Sequence, residues 1–149
     1  MRAVRLWCLF RFRQCIQVHP DSIPCNFSLC LYISFFRFLY SLLESLLLEF
    51  LDKYRDIKTI VDLGCGAGNE SVYLVKQGYK VISIDRQLNK SFILDRLNEE
   101  EKSKVSFIEC DFKDLELPNT DCVIAMFSIP FCKKEYFDEL WNKIYDSLN

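Results

Sequence analysis

Three of the four glycines in this 149-residue chain, Gly64, Gly66 and Gly68, fall within five residues, directly after the apolar run Thr59–Leu63. Glycine adopts positive φ and lets a backbone come close to a ligand. A strand, such a loop and a following helix therefore make a tight turn whose amides face a bound molecule, and a nucleotide-like ligand fits that turn. A bland reading stands beside this one, in which a βα turn needs its glycines for geometry alone. Two acids weight the choice. Asp85 closes the run VISID, seventeen residues after Gly68, where a carboxylate in this topology accepts hydrogen bonds from ribose hydroxyls. Asp111 closes FIECD. All three groups then lie at the carboxyl ends of strands, the edge along which open α/β sheets bind ligands. The loop reads G-x-G-x-G rather than the dinucleotide fingerprint G-x-G-x-x-G, which makes a nicotinamide cofactor the weaker option.

The elements that must position these groups are visible after residue 58, where short β-rich runs alternate with helical segments, the pattern of βαβ units and a parallel sheet. Strands are expected at Thr59–Leu63, Lys80–Ile84, Val105–Ile108 and Cys122–Phe127. Helices are expected at Glu70–Gln77, stopped by Gly78, at about Leu88–Lys102, and at Lys134–Leu148. In the last of these, Phe137, Leu140, Trp141, Ile144 and Leu148 recur at helical spacing. Upstream, Ser41, Glu44, Ser45, Glu49, Asp52 and Lys53 form a polar stripe, and Leu42, Leu43, Leu46, Leu47, Phe50 and Leu51 an apolar arc suited to packing on a sheet. A membrane-associated protein using residues 26–51 is the competing reading of this stretch, but Arg37, Glu44 and Glu49 interrupt it, each costing about 2.5–3.5 kcal/mol near a bilayer centre. Arg11 and Arg13 break up any signal-peptide core, so cleavable export is not expected.

VDLGCGAGNE, VISID, IECDF and DCVIAMFSIPF, in this order and spacing, resemble the successive motifs of class I S-adenosylmethionine-dependent methyltransferases, across roughly half the chain. Within that family DLGCGAGNE and the SIPF segment look most similar to small bacterial enzymes of the tellurite-resistance type. The resemblance implies an α/β, Rossmann-like three-layer sandwich with a parallel sheet of strand order 3-2-1-4 and S-adenosylmethionine as cofactor. It also implies site residues. Asp62 and the backbone of Gly64–Gly68 would hold the methionine part, Asp85 the ribose, and Asp111 with the backbone of Phe112 the adenine. Arg86 would either stack beside the ribose or lie in solvent, and Cys65 is a small loop filler rather than a nucleophile, since methyl transfer from a sulfonium needs no covalent enzyme intermediate. Ser128 and Phe131 are the candidates for orienting the acceptor, with an ordinary turn serine as the alternative for Ser128.

Composition limits the partners. Residues 1–40 hold five arginines and one acid, while residues 41–149 hold 14 basic and 20 acidic side chains, and the net charge of -2 gives no electrostatic footprint for nucleic acid. The eight cysteines include no C-x-x-C pair and several lie in apolar strand-like runs, which fits free thiols in a reducing, cytoplasmic setting. Cys15, His19, Cys25 and Cys30 match no standard zinc spacing, and no metal site is expected.

The departures from the family are as informative. Residues 1–37 do not resemble its usual lead-in and stay unassigned, leaving 38–149 as a partial methyltransferase domain whose later strands are missing. The fourth strand would then be an exposed apolar edge, open to self-association. The reading is methyl transfer to a small-molecule acceptor; the alternatives are an inactive cofactor-binding fragment and the membrane-associated protein.

Overall fold

The computed structural model describes residues 6–7, 42, 45–54, 56–126 and 128–149. The chain divides into two compact units, residues 1–9 with 56–149, and residues 10–55. In the latter, residues 45–53 are helical (α1), with Leu47 and Leu51 buried and Phe50 against Tyr54 at 4.9 Å between ring centroids. Leu42, Leu46 and Leu48 are exposed, so the expected apolar arc is only partly covered. Leu43, Glu44, most of the 26–51 stretch and the Cys15–Cys30 group lie outside the described residues. Among the described residues no helix is long and apolar enough to cross a membrane, and no cluster of metal-ligating side chains is found.

The larger unit is built on a parallel sheet of β1 (Leu6–Trp7), β2 (Thr59–Leu63), β3 (Lys80–Asp85), β4 (Val105–Glu109) and β5 (Cys122–Ile124), in the order β1-β5-β2-β3-β4. The expected 3-2-1-4 order is present as β4-β3-β2-β5. Helices α2 (Asn69–Lys76), α3 (Ser91–Leu94), α4 (Glu99–Lys102) and α5 (Lys134–Ser147) complete it. The single helix expected at 88–102 is two four-residue helices, because Asn98 leaves helical geometry at φ -78°, ψ 173° and caps α4 in a capping box with Glu101.

One expectation is corrected. The fourth strand, β5, is not an open edge at Val123 and Ile124, because Leu6 and Trp7 pair with them in parallel. At its start, Thr120 N donates to Ser147 O at 2.9 Å and Asn149 N donates to Thr120 O at 3.1 Å. Unpaired strand groups demand hydrogen-bond partners, and here both ends of the described chain supply them. Two residues of the unassigned amino-terminal segment therefore belong to the sheet.

Side chains alternate across a strand, and that alternation assigns the layers. Val61 and Leu63 of β2, Ile84 of β3 and Val123 of β5 point to one face, where they form a buried cluster with Leu140, Ile144 and Leu148 at and beyond α5. Asp62 and Ser83, neighbours in register, point to the other face, where Ser71 of α2 meets both. The sheet is thus sandwiched between α5 and α2, a three-layer α/β fold. β2 and β5 are buried on both faces, as strands at the centre of a parallel sheet must be.

Candidate functional site

The register brings the strand ends level. Leu63 pairs with Ile84, Ile84 with Ile108 and Asp85 with Glu109, so the loops after β2, β3 and β4 leave the sheet side by side. Their backbones are tied together: Gly64 N and Cys65 N both donate to Ile84 O, at 2.7 and 3.0 Å, and Cys110 N donates to Asp85 O at 3.1 Å. These loops enclose a cleft of about 450 Å³, within the range of small-molecule sites, lined by Gly64, Gly66, Asp85, Arg86, Asp111 and Phe112 among others.

Each glycine of the loop has positive φ, and two of them are also crowded. A Cβ at Gly64 would lie 2.2 Å from Ser128 Cβ, and one at Gly68 2.2 Å from Ile93 Cγ1, so the loop closes against the side chains of Ser128 and Ile93 with no room for one of its own. Asp85 pins the centre of the turn. Its Oδ2 accepts from Gly66 N at 2.9 Å and its Oδ1 from Gln87 N at 3.0 Å, and each oxygen of this cleft-lining carboxylate has capacity for a further bond.

Asp62 stands behind the loop and not on the cleft wall. It is almost wholly buried, accepts a hydrogen bond from Ser71 Oγ at 2.6 Å, and receives the Ser71 backbone N–H as well. It thereby serves as the amino-terminal cap that Gly68, which has no side chain, does not give α2. Burial pushes its carboxyl up to about 7; the Ser71 hydroxyl opposes this, while the charges of Glu70 and Asp85 add to it. Cys65 is also behind the wall. Burial pushes its thiol up, and Asp62 and Asp85 push it the same way, so it stays a neutral thiol and a poor nucleophile.

Asp111 and Phe112 reach the cleft as expected, Asp111 capping a short 3-10 turn at Phe112–Asp114. Ser128 also lines it, but its hydroxyl donates to Leu63 O, which locks the segment after β5 onto the end of β2. Phe131 lines the mouth and is 80% exposed, a large apolar ring held in solvent. Phe127, within the same segment, lies outside the described residues.

Sequence reasoning missed four contributors. Gln87, Cys110 and Met126 line the cleft, each within two residues of a strand end. The fourth, Arg96, is remote in sequence. Its guanidinium donates to Ala67 O, to Asn69 Oδ1 at 2.8 Å and to Phe92 O, clamping the glycine loop from outside. No motif announces it, since only the fold brings residue 96 to residue 67. Removing a bond of this kind costs about 1–2 kcal/mol, so Arg96→Ala is expected to speed amide exchange at residues 66–69 roughly tenfold, with β2 and β3 unchanged. Arg96→Lys, which lacks the planar fork, is expected to restore little of the protection.

Such a cleft, at the carboxyl ends of a parallel sheet ordered 3-2-1-4 with a glycine turn on its first central strand, defines a nucleotide-type site of the Rossmann-like class. The family model described as "Methyltransferase domain" matches residues 60–149, and the chain belongs to that family. Among curated proteins it is similar to the carboxy-S-adenosyl-L-methionine synthase of Nautilia profundicola, 30% identical over 98 residues, which are 62% of this chain and 41% of that protein. It is also similar to the cypemycin N-terminal methyltransferase of a Streptomyces species, 35% identical over 72 residues, covering 48% of this chain and 28% of the other. The matched part is thus less than half the length of these relatives. Among solved structures, the 1,6-didemethyltoxoflavin-N1-methyltransferase of Burkholderia thailandensis superposes with a TM-score of 0.57 at 17% identity, over 66% of this chain and 44% of that one. That likeness concerns the fold.

Proposed function

We propose that the cleft binds S-adenosylmethionine and that the chain transfers its methyl group to a small-molecule acceptor. One observation carries the reading: Gly64, Gly66, Asp85 and Asp111 line a single cleft at the carboxyl ends of three adjacent parallel strands. The residues fit the cofactor. Asp85 lies where two ribose hydroxyls would donate to it, Asp111 and the Phe112 backbone meet the adenine, and Arg86 borders the ribose. The turn from Gly64 to Gly68, with Asp62 and Cys65 behind it, receives the methionine part. α2 begins at Asn69 after Gly68, which has no side chain to cap it; Asp62 takes the Ser71 amide, which leaves the amides of Asn69 and Glu70 for a carboxylate.

When bound, S-adenosylmethionine would supply a methyl group on a positively charged sulfur for in-line transfer to an acceptor lone pair, the sulfur keeping the electron pair of the broken bond. The protein's task is alignment rather than acid or base work. Holding the reacting atoms at about 3–3.5 Å can contribute roughly 7–11 kcal/mol. Met126 and Phe131 give the acceptor side an apolar surface that sheds water, and Ser128 fixes its backbone to the cofactor loop. The proton lost by the acceptor passes to solvent. The finer reading, a small bacterial enzyme of the tellurite-resistance type, is supported by DLGCGAGNE and by residues 127–131 alone. Four free thiols among the described residues suit a reducing compartment.

Calorimetric titration with S-adenosylhomocysteine tests the proposal. Saturable 1:1 binding is expected, and Asp85→Ala, which removes two charge-assisted hydrogen bonds, should weaken it about 100-fold. Absence of saturable binding to the wild-type chain overturns the reading.

A further inference from the structure

The strand that closes β5 is two residues long, and its pairing does not specify which copy of the molecule supplies it. Among the described residues β1 stands at the end of the sheet and pairs with β5 alone, in parallel, Leu6 opposite Val123 and Trp7 opposite Ile124. A hairpin turn would force such a strand onto its own chain, but parallel neighbours cannot be joined by one. Here the connection back to β2 runs through residues 10–55, a compact unit of their own, so residues 1–9 join the sheet unit by contact and not by a short link.

The edge needs a strand. Val123 and Ile124 are fully buried, and withdrawing β1 would leave their outward backbone groups without partners. Thr120, at the head of the same edge, is already taken, since it bridges to Leu148 and accepts from Asn149 N at 3.1 Å. The stretch left to β1 runs straight on into Met126 and Ser128 of the cleft. The donor suits such an edge: Val4–Phe10 is apolar apart from Arg5 and holds no Gly or Pro. A pairing of two residues makes few hydrogen bonds, so it opens locally long before the sheet unfolds. An opened copy then offers both halves of one joint, a strand and an edge, which is the condition for exchanging an identical element between copies.

We propose that the edge of β5 is a strand-acceptor site whose partner is a second copy of this chain, Leu6–Trp7 of each copy pairing with Val123–Ile124 of the other. The register is the one seen within a single chain. The long connection sets the concentration dependence, because a strand in trans competes with a tethered one whose effective concentration is on the order of 1 mM. In the exchanged pair, the segment that leads into the acceptor wall of each cleft leans on a strand from the other copy. The inference does not depend on what the cleft binds.

Sedimentation of the full chain from about 1 μM to about 1 mM, beside Leu6→Pro/Trp7→Pro, tests it. Proline has no amide to give a ladder, so the variant loses its donor strand and keeps its edge. Wild type is expected to pass from monomer to dimer over this range, and the variant to stay monomeric. A labelled peptide of residues 1–13 should bind the variant saturably and at least about tenfold more tightly than wild type, whose edge is filled; the same peptide with both prolines should not bind. A wild-type chain that stays monomeric throughout, a variant that dimerises equally, or a variant that ignores the peptide overturns the exchange. If the variant aggregates, the peptide is added during refolding: a soluble one-to-one complex supports a strand supplied in trans, and no recovery overturns it.

Discussion

Gly64→Ala is expected to lower folding stability by about 2–5 kcal/mol, at its upper end enough to unfold a marginal domain. Two costs add. Gly64 holds φ at 76°, where a side chain costs roughly 1–2 kcal/mol. Its new Cβ would lie 2.2 Å from Ser128 Cβ, and forcing extra volume into a closed contact adds roughly 1–3 kcal/mol. Ser128 has little freedom to retreat, because its hydroxyl donates to Leu63 O and it is 7% exposed. Urea denaturation of the single variants and of Gly64→Ala/Ser128→Gly gives a double-mutant cycle. The double variant should recover part of the loss, since it removes the overlap but keeps the strained φ. A Gly64→Ala chain within about 1 kcal/mol of wild type would mean that the loop does not close on the segment after β5.

The second large effect concerns pH. Asp62 has its carboxyl pushed up to about 7 from 3.8, first by burial, with Glu70 and Asp85 adding repulsion and Ser71 opposing through its hydroxyl and backbone N–H. The folded chain thus holds a proton that the unfolded chain has lost, so stability is fully present below about pH 4 and falls as pH rises through about 7. The loss is on the order of 4 kcal/mol by pH 8. Asp62→Asn still accepts from Ser71 but carries no buried charge. It should match wild type near pH 4 and exceed it at pH 8, with a flatter profile between. Parallel slopes for the two chains from pH 5 to 8 would show that Asp62 does not titrate in this window.

Much of this site was legible in the sequence because its signals are local. A strand ending at Leu63, glycines at every second position and acids at the ends of two later β-rich runs already place these groups on one edge. The fold then supplies only the register that levels them. Strand order followed the same way, since TIVDL and CVI are apolar on both faces and belong at the centre of a parallel sheet. What the sequence hid depends on tertiary approach. Arg96 clamps Ala67 only because α3 folds back beneath the loop, and Asp62 caps α2 only because Ser71 swings over β2. The edge of β5 was misjudged for a related reason: the partner strand, Leu6–Trp7, comes from more than a hundred residues upstream in a stretch with no strand pattern. The split of the 88–102 helix was readable, in that Asn98 followed three residues later by Glu101 is a capping-box signature inside a segment rich in helix formers.

The account stands on the gathering of the glycine turn, Asp85 and Asp111 around one adenosyl ligand. Titration of the isotopically labelled chain with S-adenosylhomocysteine, followed at the backbone amides, reads that claim directly. The amides of Gly64, Gly66, Asp85, Asp111 and Phe112 should shift together and saturate at one common ligand concentration, with Leu140 and Ile144 on the opposite layer unmoved. Shifts confined to other surfaces, or amides of the three loops moving at different concentrations, would contradict it.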